Sequence, residues 1–192
     1  MKKTFAVGFS LLLAVTTWGQ GAVHFGNTAT TLITTNDFVG HVGNVVGAGN
    51  YGFGLYLGPV GSDRDSLTPL AFTTNGPFPG RFDGGNLVLL AGAGFQYSFQ
   101  VRGWSSFAGG SYEQAYINAI NGVQPGVFLG ESTLGFFTVP ASGTIEIFGT
   151  GPGQVSGFVL TPLPIPEPST YALTGVGLLT LFLLQRRAQR VR

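Results

Sequence analysis

One stretch of eight residues, Phe95-Gln96-Tyr97-Ser98-Phe99-Gln100-Val101-Arg102, alternates without interruption between apolar and polar side chains. Successive side chains of an extended chain point to opposite sides. The pattern therefore predicts a half-buried strand, with Phe95, Tyr97, Phe99 and Val101 inward and Gln96, Ser98, Gln100 and Arg102 outward. Phe53, Leu55 and Leu57 alternate in the same way, as do Ile145 and Ile147 within 144–148, while the apolar run Leu87 to Leu90 suits a central strand. Weaker strand candidates are 22–25, 31–35, 67–73, 134–139 and 155–160.

Turn formers separate these runs: Gly61-Ser62-Asp63, Asn75-Gly76-Pro77, Asp83-Gly84-Gly85-Asn86, Gly109-Gly110, Asn121-Gly122 and Gly151-Pro152-Gly153. Eight or nine short strands at this spacing predict an all-β domain over 22–160, an open barrel or, as the reading adopted, an antiparallel β-sandwich of Ig-like or jelly-roll-like kind. Only Tyr112 to Ile120 breaks the pattern and predicts a turn or two of helix. The segment 161–165, with Pro162 and Pro164, reads as a stiff spacer.

Both ends of the chain are of another character. Lys2 and Lys3, an apolar stretch from Phe5 to Val15 and the small residues around Gly19 and Gly21 predict a signal peptide over 1–21, cut after Gly19 or Gly21. An uncleaved amino-terminal anchor is the alternative. At the other end Pro166-Glu167-Pro168 is followed by an apolar stretch from Thr170 to Leu184 and by Arg186, Arg187, Arg190 and Arg192. The prolines hold the tripeptide extended. Fifteen helical residues reach roughly 22 Å, short of a bilayer core of about 30 Å. A single transmembrane helix at about 170–184 thus spans only with local thinning and snorkelling arginines. The arginines stop transfer on the cytoplasmic side, which places the middle of the chain outside the inner membrane.

Tripeptide, hydrophobic helix and terminal arginine cluster together resemble the PEP-CTERM sorting signal of Gram-negative bacteria. The resemblance covers residues 166–192. It implies recognition and cleavage near Pro166, Glu167 and Pro168 by a membrane-embedded exosortase-type enzyme, transient residence in the inner membrane, and delivery to the cell surface or extracellular matrix. A permanent single-span anchor without processing is the competing reading of the same residues. The body is similar to a group of PEP-CTERM proteins through Gln20-Gly21-Ala22-Val23-His24-Phe25-Gly26-Asn27, Gln100-Val101-Arg102-Gly103-Trp104 and Gly110-Ser111-Tyr112-Glu113. That group has no established activity to carry over.

Charge narrows the partners. Between Val23 and Ile165 three arginines face seven carboxylates and no lysine, a net charge of −4. Clustered cations are what displace counterions from nucleic acid, so nucleic acid is excluded as a partner, and so are anionic lipid heads. The chain has no cysteine. That leaves no lipobox, prenylation or palmitoylation site, and no thiol nucleophile.

Residues that might carry chemistry are few. Gly47-Ala48-Gly49-Asn50-Tyr51-Gly52 formally fits a dinucleotide fingerprint, but a strand rather than a helix is predicted to follow, so no helix amino-terminus would hold the pyrophosphate. Asp63-Arg64-Asp65 with Asp83 could supply calcium ligands; a solvated hairpin loop is the plainer reading. His24 and His41 are the only histidines, and His24 is expected in a structural hydrogen bond. Hydrolysis of a glycan would need two of Asp37, Asp83, Glu113, Glu131 and Glu146 to converge. Trp104, which follows the clearest strand into a Ser/Gly-rich loop, is either a sugar-stacking platform or a core aromatic.

The expectation is an exported, non-enzymatic surface or matrix protein with a structural or adhesive role, exopolysaccharide being the partner its location implies. No cofactor or metal is called for. The alternatives are a carbohydrate-binding module using Trp104, a permanently anchored β-domain, and a hydrolase of matrix glycan.

Overall fold

The computed structural model describes residues 21–163, 173–180, 182 and 186. Among these residues the chain is mostly β-sheet. The strands are β1 (Ala22–Gly26), β2 (Thr34–Asn36), β3 (Val42–Asn44), β4 (Tyr51–Pro59), β5 (Thr68–Thr74), β6 (Asp83–Val88), β7 (Gln96–Ser105), β8 (Phe128–Glu131), β9 (Gly135–Thr138), β10 (Thr144–Glu146) and β11 (Val159–Pro162), with one helix, α1 (Tyr112–Ile120), between β7 and β8.

The strands form two sheets. The smaller runs β10-β1-β6, and the larger runs β3-β2-β11-β8-β7-β4-β5, with β9 also paired to β7. The spine of the larger sheet is the nine-residue antiparallel pairing of β4 with β7, from Tyr51 opposite Ser105 to Pro59 opposite Tyr97. These are two of the strands that period-two alternation predicts. β8 pairs β7 at Arg102–Trp104 and β9 pairs it at Gln96–Phe99. At the break between them Ser132 N–H donates to the Val101 carbonyl (2.8 Å) and Val101 N–H to Ser132 Oγ (3.0 Å). No backbone donor of β7 is lost at the step.

Four expectations need correction. The sheets are mixed rather than antiparallel, because β1 pairs β10 and β2 pairs β11 in parallel. β10 and β11 return to the start of the domain over long connections, which is what a parallel pairing requires. Eleven strands replace eight or nine among the described residues; β3 and β8 carry no clean alternation. β6 lies at a sheet edge, and it begins inside Asp83-Gly84-Gly85-Asn86, read above as a turn. Gly85 there has φ +75°, Asp83 Oδ1 accepts its N–H (2.8 Å), and the register with β1 shifts between His24 and Gly26. The turn residues make a β-bulge within the strand. Finally, Thr161 and Pro162 of the supposed spacer pair with Leu129 and Phe128 of β8.

The two sheets bury their apolar faces in one core. Val23 and Phe25 of the small sheet, Phe53, Leu55, Phe99, Val101 and Leu160 of the large one, and the loop residues Phe82 and Phe148 belong to it. Phe82 is its centre: it stacks on Phe53 at 4.3 Å and meets Phe25 and Phe148 edge-on at 5.3 and 5.6 Å. Such pairs add about 0.5–1.5 kcal/mol each beyond area burial. The opposite face of β4 and β7 packs on α1 through a second cluster containing Tyr56, Trp104, Tyr112, Ala115, Ala119 and Leu129. Ser111 caps α1 by accepting the Gln114 N–H, and its buried residues Tyr112, Ala115 and Ala119 fall on one stripe.

Residues 173–180 are helical and exposed. No helix among the described residues is long and apolar enough to cross a membrane; the expected span at about 170–184 extends beyond them, and the expected signal peptide lies outside them up to residue 20.

Candidate functional site

The expected sorting residues Pro166, Glu167 and Pro168 lie outside the described residues, as do Arg187, Arg190 and Arg192 of the expected stop-transfer cluster. Arg186 is described, with its guanidinium 5.3 Å from the centre of the Phe182 ring. The sheet ends at Pro162, four residues before Pro166.

Trp104 is not a platform. It is 2 % exposed, its Nε1 donates to the Gly109 carbonyl at 2.8 Å, and Phe72 meets its ring edge-on at 5.8 Å. The indole lies over Gly52, its cross-strand partner, where a Cβ would come within 2.5 Å of the ring. The space a side chain would take at position 52 is filled by the indole. Trp104 is thus the core aromatic of the two alternatives, and neither ring face is offered to a sugar.

The residues that converge most strongly gather around Arg102. Alternation placed Arg102 on a solvent face, yet it is only 8 % exposed, because α1 and the 3-10 turn Arg64–Ser66 cover that face. Its Nε donates to Gln100 Oε1 (3.0 Å), Nη1 to Glu113 Oε1 (3.2 Å) and Nη2 to the Arg64 carbonyl (2.6 Å). The guanidinium also stands 4.2 Å from the centre of the Tyr56 ring. Tyr56 Oη donates to Glu113 Oε2 (3.0 Å), Gln100 Nε2 donates to Glu131 Oε2 (3.2 Å), and Arg64 pairs with Glu131. Burial, and then Glu113, push the Tyr56 hydroxyl far above the usual tyrosine range; burial and then Glu131 do the same to Tyr112. Both phenols stay protonated at any physiological pH.

Two of the five candidate carboxylates, Glu113 and Glu131, therefore meet in one network beside a shallow cavity of about 300 Å³ lined by Arg64, Arg102, Tyr112, Glu113, Tyr116 and Ile117. Each is held by a guanidinium and by a second donor. This chemistry fastens α1 and the β4–β5 turn to the sheet. The sequence signal for it was Arg102 itself, the one cation in the most regular strand.

A second pair of carboxylates meets at His24. Its Nδ1 lies 2.7 Å from Glu146 Oε2 and its Nε2 3.3 Å from Asp83 Oδ1, so one imidazole ties β1 to both neighbours. Burial opposes the charged ring, but Glu146 and then Asp83 outweigh it and raise the His24 pKa. This is the structural hydrogen bonding expected of His24. Asp63 caps the 3-10 turn by accepting the Ser66 N–H (3.0 Å), and no group of metal-binding side chains occurs among the described residues. Asp37 meets His41 across a loop, Oδ2 to Nδ1 at 2.6 Å. The glycine-rich stretch 47–52 leads into β4, a strand, as its discount as a nucleotide loop required.

Beside the Trp104 corner lies a cavity of about 440 Å³ lined by Asn50, Tyr51, Ser105, Ser106, Phe107 and Phe128 among others, with no charged group. Ser106 Oγ at its wall is buried without a partner. Comparison with known proteins adds no relative: no protein-family model, no curated protein and no solved structure matches the chain.

Proposed function

We propose that the chain is an exported, non-enzymatic surface or matrix protein whose β-domain is delivered by a carboxy-terminal PEP-CTERM signal. One observation carries the reading: Pro166-Glu167-Pro168, the apolar stretch 170–184 and the arginines 186, 187, 190 and 192 occur in that order within the last 27 residues. In this reading the tripeptide is the element an exosortase-type enzyme recognises, the hydrophobic helix holds the substrate beside that enzyme in the inner membrane, and the arginines stop transfer. The β-domain then serves structurally or adhesively in an exopolysaccharide-rich surroundings.

Four features of the folded part support it. The sheet closes at Pro162, so the tripeptide follows the domain with little slack. The Gly21 carbonyl accepts the Leu89 N–H at 3.1 Å, so a cut after Gly19 keeps a residue the small sheet uses. The two sheets with one core between them fit a β-sandwich, an architecture that stands without disulfides. The carboxylates that converge do so on guanidinium or imidazole groups with structural tasks, which favours a scaffold over a hydrolase. The module using Trp104 is not carried forward, since that ring is buried.

The test is the mass and location of the mature protein in cells. Processing predicts a species without the arginine end, outside the inner membrane, and Glu167→Ala should leave the precursor in the membrane. A mature species that keeps Arg186 to Arg192 supports the permanent anchor instead.

A further inference from the structure

The tail leaves the domain beside an apolar hairpin tip. β2 and β11 are neighbours and run parallel, Thr34 opposite Val159 and Thr35 opposite Leu160. Three residues beyond the last pair the two chains have reached Phe38 and Leu163 at the same end of the sheet. The β2–β3 hairpin exposes Phe38 (67 %) and Val39 (80 %) in its loop and Val42 (67 %) at the first position of β3.

This display is built in. Phe38 has φ +64° and is the one non-glycine residue with positive φ among the described residues. Bulky side chains seldom adopt that conformation. Here Asn36 Oδ1 accepts the Phe38 N–H (2.9 Å), and Asp37 Oδ1 accepts the N–H groups of Val39 and His41 (3.0 Å each). The loop is hydrogen-bonded by its own side chains into a shape that turns apolar groups outward. The tip's two titratable side chains, Asp37 and His41, are hydrogen-bonded to each other.

We propose that this tip is a lipid contact: while the tail is in the membrane, Phe38, Val39 and Val42 sit in the interface of the bilayer that holds it. The inference rests on the tail being membrane-embedded. From Leu163 to the helix at 173 the chain extends at most roughly 35 Å, so the end of the sheet that carries the exit, and with it the tip, is kept near the bilayer. Three apolar side chains would not hold a free domain there, but tethering makes the contact intramolecular and raises its effective concentration. Aromatic and aliphatic groups suit the headgroup boundary. With a domain charge of −4 and no lysine, the matching surface is zwitterionic rather than anionic.

Because the chain has no cysteine, single cysteines report cleanly. Phe38→Cys, Phe182→Cys and Phe95→Cys, each in the full chain, are labelled with an environment-sensitive nitrobenzoxadiazole dye and reconstituted in phosphatidylcholine vesicles. Phe95 is as exposed as Phe38 (62 %) but precedes β7, whose first residues lie at the opposite end of the sheet. Labels at 182 and 38 should shift to the blue and be quenched by nitroxide-bearing lipid, while the label at 95 stays aqueous. An aqueous label at 38 with a lipid-quenched label at 182 overturns the contact and leaves the anchor standing. An aqueous label at 182 removes the anchor, and the contact with it. A quenched label at 95 shows indiscriminate adsorption and also overturns the proposal, as does a blue shift at 38 that nitroxide lipid does not quench, which would mean a second copy covers the tip. Val39→Cys repeats the measurement without altering Phe38.

Discussion

Arg102→Met is the most informative perturbation of the folded domain. Methionine keeps most of the apolar stem and deletes the guanidinium. Hydrogen bonds to Gln100, Glu113 and the Arg64 carbonyl are lost, with the contact over the Tyr56 ring. Glu113 is half exposed and keeps the Tyr56 hydroxyl as donor, so its separation costs no more than a surface pair, about 0–1 kcal/mol. The Arg64 carbonyl and Gln100 Oε1 remain in a covered site, at about 1–3 kcal/mol for each group left without a partner. The cation–π contact adds about 0.5–2 kcal/mol. Since these contributions overlap and the methionine refills part of the space, a loss of about 3–4 kcal/mol is expected. For a domain of this size that lowers Tm by roughly 10 °C. Thermal unfolding of the full chain in mild detergent, with Trp18 replaced by Phe so that emission reports Trp104 alone, and followed also by circular dichroism, measures it. Arg64→Met is the comparison, because Arg64 serves Arg102 through its carbonyl, which the substitution keeps, while its half-exposed side chain pairs with Glu131; Glu131 is mostly buried but keeps the Gln100 amide as donor, so the loss should be about 1–2 kcal/mol, below that of Arg102→Met. Equal losses for the two variants, or a loss below about 1 kcal/mol for Arg102→Met, would refute the assignment of Arg102 as the tie between α1 and the sheet.

Two further expectations concern the packing around Trp104 and the titration of His24. Gly52→Ala drives a Cβ against the indole and should destabilise by about 1–3 kcal/mol; in the same Trp18→Phe background, Trp104 emission should move to the red and become open to acrylamide, and an unshifted, shielded indole would contradict the contact. His24 has a raised pKa in the fold, so its stabilisation is complete below the unfolded value of about 6.5 and is lost as pH rises through the folded one. Unfolding midpoints should therefore fall across that window in the parent chain, and His24→Gln should flatten the decline; a parallel decline in both would show that another group titrates.

Much of the larger sheet could be read from side-chain order. The strict alternation of Phe95 to Arg102 and of Phe53 to Leu57 marks β7 and β4, and the break in the strand pattern from Tyr112 to Ile120 marks α1. What alternation cannot tell is whether the second face of a strand is covered. Arg102 looked solvent-facing because the element that buries it, α1, arrives from ten residues further along. β8 was invisible for a related reason: Phe128-Leu129-Gly130-Glu131 has no period of two, and its place is fixed by pairing to β7 and β11 rather than by its own pattern. Trp104 is the instructive case at the candidate site. Its position after a strand and before a glycine-rich loop fits both a platform and a core residue, and what decides between them is the room left by Gly52 on the neighbouring strand, which the indole fills. The proposed sorting signal differs, because it is read from the order of charged, apolar and proline residues and asks nothing of tertiary structure.

The placement of β11 has a mechanical consequence. The last strand before the tail is not at a border of the larger sheet but between β2 and β8. A pull on the tail therefore acts along a strand gripped on both flanks, so the ladder bonds on either side share the load in shear instead of opening one after another. A domain pulled by its tail would thus be loaded across two seams at once, each of two residue pairs, and not peeled from an edge.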